Sequence, residues 1–126
     1  MAISEDKGVE LVMQHDRSVD KVKFENFLKL LHQKIGKRSV YLVLDNLSVH
    51  TCDWSKHWMA HLDFKWAFNA PYFPDGNPIE FVFSIAKHNF KKAKLQAIAN
   101  KKPVVMADLI NRAFRKITKK QVKKCV

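Results

Sequence analysis

Apolar positions along this chain follow two different periods, and the places where one gives way to the other mark its elements. Short apolar stretches at residues 1–4 and 9–13 are separated by Glu5-Asp6-Lys7-Gly8, which predicts a hairpin. From Phe24 the period becomes helical. Phe24, Phe27, Leu28, Leu31 and Ile35 recur at i, i+3, i+4, i+7 and i+11, with Ser18 as the expected N-cap and Gly36 as the stop. Five consecutive apolar residues, Val40 to Leu44, then predict a strand buried on both faces. A short helix is expected over about Asp53 to Leu62. Phe64, Trp66 and Phe68 next alternate with Lys65 and Ala67, the pattern of a half-buried strand. Pro71, Pro74, Gly76 and Pro78 mark a loop. Asn77 suits an N-cap and Pro78 a first helical position, opening a helix that runs to about Ile98. A final helix is expected from near Pro103, with Met106, Leu109, Ile110, Ala113, Phe114 and Ile117 on one face. The lysine-rich end, 119–124, is expected to fray. The order strand, strand, helix, strand, helix, strand, helix, helix predicts an α/β chain, and 126 residues suit one domain spanning 1–126.

Charge changes this picture by dividing the chain. Residues 1–86 hold 10 Lys/Arg against 11 Asp/Glu, whereas residues 87–126 hold 13 Lys/Arg and a single acid, Asp108. Almost the whole basic excess therefore sits in the C-terminal helices of 78–126, the electrostatic footprint expected of a nucleic-acid-binding face. Along the helix opened by Pro78, Glu80, Ser84, Lys87, Lys91 and Lys94 share a face opposite Ile79, Val82, Phe83, Ala86 and Phe90. Lys101 and Lys102 follow it. Arg112, Arg115, Lys116, Lys119 and Lys123 lie away from the final apolar stripe, where they suit phosphate contacts to double-stranded DNA that read no sequence. The competing reading is a solvated lysine face, and the tail also fits a nuclear-import signal. The hydrophobic share of 47% points to a folded chain. Two cysteines, Cys52 and Cys125, form no disulfide framework and suit a reducing, intracellular setting. No apolar run approaches a membrane span, and no membrane partner is expected.

Two carboxylates carry the candidate chemistry. Asp45 ends the apolar run and so stands at the carboxyl end of a strand, where ligands of open α/β sheets gather. Glu80 falls in the first turn of the helix opened by Pro78, and 34 residues lie between the two acids. Carboxylates on rigid elements suit Mg²⁺, and two-metal phosphodiester cleavage needs them to hold two ions roughly 3.5–4 Å apart. Two acids alone say little, but their surroundings say more. Asp45-Asn46-Leu47-Ser48-Val49-His50 and Pro71-Tyr72-Phe73-Pro74-Asp75-Gly76-Asn77-Pro78-Ile79-Glu80 together resemble the second and third catalytic motifs of DDE-superfamily transposases of the mariner type.

That resemblance covers most of the chain. It implies an RNase H-like mixed sheet flanked by helices, with Asp45 and Glu80 as catalytic and Mg²⁺-binding positions. It also implies a first Asp on a first, central strand, before the hairpin. Here the chain opens on the hairpin, and Asp6, Asp16 and Asp20 match that Asp by residue type alone. The expectation is a truncated domain lacking the central strand and the family's N-terminal helix-turn-helix region. Its Asp45 and Glu80 would be vestigial, holding one Mg²⁺ weakly, and it would not be an enzyme. The lost strand would leave backbone groups unpaired, so the remaining strands close up or a partner adds a strand. The implied role is a domesticated accessory DNA-binding or scaffold subunit of a nuclear DNA-modifying complex with protein partners, a DNA methyltransferase complex being one example. Two alternatives stay open: a Mg²⁺-dependent endonuclease fragment, and a protein-interaction module without DNA contact.

Two further groups have bland readings beside functional ones. His50, Cys52, His57 and His61 invite zinc, but no second Cys/His pair has structural-zinc spacing, and His50 fits the transposase-like motif better. Trp54, Trp58 and Trp66 are expected as core or interface anchors rather than base-stacking platforms.

Overall fold

The chain is described by a computed structural model covering residues 1–70 and 76–126; the loop read from Pro71 and Pro74 falls outside them. In order, its elements are β1 (Ala2–Ser4), β2 (Gly8–Leu11), α1 (Lys21–Ile35), β3 (Tyr41–Leu44), α2 (Ser48–Thr51), α3 (Asp53–His61), β4 (Lys65–Phe68), α4 (Pro78–Ala99), α5 (Met106–Arg115) and α6 (Lys119–Cys125). They divide into two compact units, His15–Asn77 and the combination of Met1–Gln14 with Pro78–Val126.

In the unit His15–Asn77, α1 packs on α3 through the predicted stripe. Phe24, Leu28, Leu31 and Ile35 are buried, as are Met59 of α3 and Phe64. Gly36 closes α1 with φ 61 and ψ −124, backbone angles that glycine adopts without a Cβ clash. The start of α1 departs from expectation. Asp20, not Ser18, is the N-cap, and its carboxylate accepts the Lys23 N–H at 2.9 Å. That amide holds the Asp20 carboxyl below its usual range. Ser18 stands too far upstream to reach the free N–H groups of the first turn.

β3 and β4 pair in parallel, with Tyr41 opposite Lys65 and Leu44 opposite Phe68. The expectation that β3 is buried on both faces fails: Tyr41 is 61% exposed and Val43 69% exposed. Alternation along the strand turns these two side chains to one face, and nothing among the described residues covers it. Leu42 and Leu44, on the other face, are half-buried. The short α2 between Asp45 and α3 was not anticipated, because four residues show no period.

In the other unit, β1 and β2 form the predicted antiparallel hairpin, with Ile3 opposite Val9 and Ser4 opposite Gly8. The core joins Val82 and Ala86 of α4 to Ile117 and to Val122 of α6, with Ile3, Val9 and Phe114 packed against it. Two side-chain amides tie the elements together. Asn89 of α4 donates to the Ala113 carbonyl at 3.1 Å, and Gln14 donates to Asn111 Oδ1 at 2.6 Å. The predicted final helix is in fact two. α5 ends at Arg115, and Thr118 starts α6 with a capping box, its side chain accepting the Gln121 N–H while Gln121 accepts the Thr118 N–H. The lysine-rich end is thus a capped helix, and Val122 is fully buried.

Gly8 shows how closely α6 lies on the hairpin. Its φ is +84, and a Cβ there would come within 3.1 Å of the Lys119 Cα. Gly8→Ala combines left-handed strain with a backbone clash. It is expected to destabilise the chain by roughly 1–2 kcal/mol or more, read as a lower urea midpoint with unchanged slope.

Candidate functional site

Asp45 sits one residue past β3, and its surroundings are built from the ends of two parallel strands. The Asn69 N–H donates to the Leu44 carbonyl at 2.7 Å, extending the β3–β4 pairing. The Asn46 side-chain amide then donates to the Asn69 carbonyl at 2.5 Å. The chain leaving β3 is thus fastened to the chain leaving β4 on both sides of Asp45. The Asp45 carboxylate is half-buried, and its Oδ1 takes the Nδ1 of His50 at 2.6 Å and the Leu47 N–H at 3.4 Å. A carboxylate only accepts, so this contact places a proton on Nδ1 of His50. The imidazole is held in turn by the Phe24 ring, 4.7 Å away between centroids. Oδ2 makes no hydrogen bond among the described residues.

Behind this pair lies a small polar knot. Ser55 is buried and donates to the Val49 carbonyl, while Cys52 Sγ stands 3.3 Å from Ser55 Oγ. Hydrogen bonding from Ser55 lowers the Cys52 thiol below its ordinary value. Both cysteines are free thiols. On α3, the His57 and His61 rings stack at 6.2 Å on an exposed face. No group of three or more His, Cys, Asp or Glu among the described residues is placed to hold a metal ion. Trp54 is exposed, donating to Glu25 Oε2 at 3.0 Å under Lys21, and Trp58 is half-buried beneath Lys29 at 4.2 Å.

Glu80 belongs to the other unit, in the first turn of α4, where it is exposed. Ser84, Lys87, Lys91 and Lys94 of the predicted track are exposed too, and Val82 and Ala86 on the opposite side are buried. The remaining basic residues singled out in the sequence, Lys101, Lys102, Arg112, Arg115, Lys116, Lys119 and Lys123, are all exposed. They occupy the α4–α5 turn, α5, its C-cap and α6 rather than one long helix. Among the described residues, the one acid within ion-pair reach of these cations is Glu5, 3.6 Å from Lys123.

A family model for DDE superfamily endonucleases matches residues 1–102. The chain belongs to that family. No curated protein sequence matches it significantly. Among solved structures, the catalytic domain of the Mos1 mariner transposase aligns with a TM-score of 0.59 and 14% identity, over 87% of this chain and 56% of that one. The Mos1 catalytic domain solved with raltegravir and manganese gives the same score and identity, over 87% of this chain and 57% of that one. Identity this low speaks to fold alone, and the fold is the expected RNase H-like mixed α/β architecture. The chain spans a little over half the length of those catalytic domains.

The Asn46–Asn69 clamp was missed by sequence reasoning. Its one signal was an Asn within two residues of each strand end, a residue type common in turns and therefore weak. Asn46→Ala is expected to cost about 0.5–1.5 kcal/mol of stability through loss of this bond, measured by chemical denaturation.

Proposed function

We propose that this member of the DDE endonuclease family is a domesticated, non-cleaving subunit that holds duplex DNA on α4–α6. We place it in a nuclear DNA-modifying assembly, a DNA methyltransferase complex being one candidate host. The observation that carries the reading is the basic surface. The cations of α4–α6 are exposed, and acids are almost absent from that stretch of chain. Ammonium and guanidinium groups in this state exchange condensed counterions for phosphates, giving sequence-independent affinity that weakens with salt. Family membership in an endonuclease class supports nucleic acid as the partner.

The non-cleaving part rests on the carboxylates. Asp45 fits as a metal ligand: it is a hard oxygen donor at a strand end, with Oδ2 outside any hydrogen bond among the described residues. The resemblance assigns Mg²⁺ to Asp45 and Glu80, where a bound ion would activate water and stabilise the leaving oxygen. A third acid is needed to bridge two ions in that scheme. Asp6 lies in the hairpin turn, Asp16 in an irregular exposed segment, and Asp20 is occupied as the cap of α1. Magnesium-dependent nicking remains the second reading, favoured by the strand-end setting of Asp45.

Fluorescence anisotropy of a labelled DNA duplex tests the binding claim. Affinity is expected to fall more than about tenfold between about 50 and about 200 mM salt. Arg112→Glu with Arg115→Glu should weaken binding similarly on unrelated sequences. Affinity that ignores both salt and charge reversal would sink the reading and favour a protein-interaction module.

A further inference from the structure

The α4–α5 turn carries a second surface, of a different character from the rest of the basic face. Leu95 is 67% exposed and Ile98 57% exposed, one helical turn apart on α4. Val105 and Met106, at the start of α5, are 52% and 50% exposed. The Asn89 bond to Ala113 shows that α5 folds back along α4, so these residues lie at the same end of a helical hairpin, on either side of its turn. Lysines surround them. Lys91 and Lys94 precede Leu95 and Ile98 by one turn each, and Lys101 and Lys102 follow. No Asp or Glu occurs from Phe81 through Ala107.

The turn is built to hold one shape. The Lys101 N–H donates to the Ile98 carbonyl at 3.1 Å and the Lys102 N–H to the Ala97 carbonyl at 2.9 Å, the paired bonds of a Schellman motif. The left-handed position of that motif, with φ 52, is filled by Lys101 rather than the usual glycine. A lysine is thereby fixed beside the apolar tip at some cost in backbone strain.

We infer that this tip docks an acidic amphipathic segment of a partner protein, a helix presenting leucine-type residues on one face with glutamate or aspartate beside them. Charge complementarity selects that occupant. A second copy of the chain would bring like charges together. Duplex DNA would match the lysines but leave four large aliphatic side chains in water. An apolar helix face flanked by acids satisfies both parts, with its apolar contacts spaced at i, i+3, i+4 and i+7. Rigid presentation of the tip lowers the ordering cost of binding. The inference goes beyond the nucleic-acid reading and does not depend on it.

The test uses the full chain and a fluorescein-labelled synthetic helical peptide with leucines at i, i+3, i+4 and i+7 and glutamates elsewhere. Saturable binding is expected, weakened about tenfold by Leu95→Ser with Ile98→Ser. Lys94→Glu with Lys101→Glu should weaken it comparably. Because all four side chains are exposed, the fold should survive, which circular dichroism checks. DNA affinity of the Leu95/Ile98 variant should be unchanged. Absence of saturable binding would overturn the inference. Equal binding of a leucine-free glutamate peptide would overturn it by reducing the effect to bulk charge. Loss of DNA affinity in the Leu95/Ile98 variant would reassign the tip to nucleic acid. Capture by phosphatidylserine–phosphatidylcholine vesicles, with no binding to the peptide, would reassign it to a lipid surface.

Discussion

The pairing of β3 with β4, and the way it ends, governs where Asp45 can be. Parallel strands have no hairpin to set their register, so side chains and following backbone must do it. Here the Asn69 N–H continues the ladder onto Leu44, and the Asn46 amide closes it onto the Asn69 carbonyl. Asp45 lies between these two bonds, and His50, steadied by Phe24, takes one of its oxygens. The acid is therefore held by secondary structure, by an amide clamp and by an aromatic-backed imidazole. A carboxylate on a free loop would lack all three restraints. The arrangement leaves the second carboxylate oxygen, Oδ2, outside any hydrogen bond among the described residues.

The other unit solves a different physical problem, that of keeping many like charges on a small folded body. Val82, Ala86, Ile117 and Val122 are buried together, and the lysines and arginines of the same helices are exposed. Burial of one face supplies the stability that repulsion on the other diminishes. Capping by Thr118 and Gln121 adds to this, since α6 is short and carries four of the lysines. A surface so poor in acids has little internal compensation for this repulsion.

Much of this was legible in the sequence where a period or a punctuating residue announced it. The stripe from Phe24 to Ile35, the stop at Gly36 and the opening of α4 at Pro78 appear in the structure where the pattern put them. β3 was misread because an unbroken apolar run is ordinarily the mark of a strand covered on both sides. Tyr41 and Val43 show that the run can outlast the cover. Thr118 and Gln121 spelled out a helix start, but the lysines around them suggested a solvated tail. The contact of His50 with Asp45 depends on a four-residue helix, too short to betray itself by periodicity. For the same reason the order of the motifs was readable, whereas the hydrogen bonds that fix Asp45 were not.

The central claim is that the chain holds DNA without cutting it. Incubating supercoiled plasmid with the chain in magnesium, at a salt concentration where binding is saturated, tests it most directly. The account predicts that the plasmid stays supercoiled, with no difference between the parent chain and a variant carrying Asp45→Asn and Glu80→Gln. Nicking by the parent that disappears in the variant would contradict it and would mean that a third metal ligand operates.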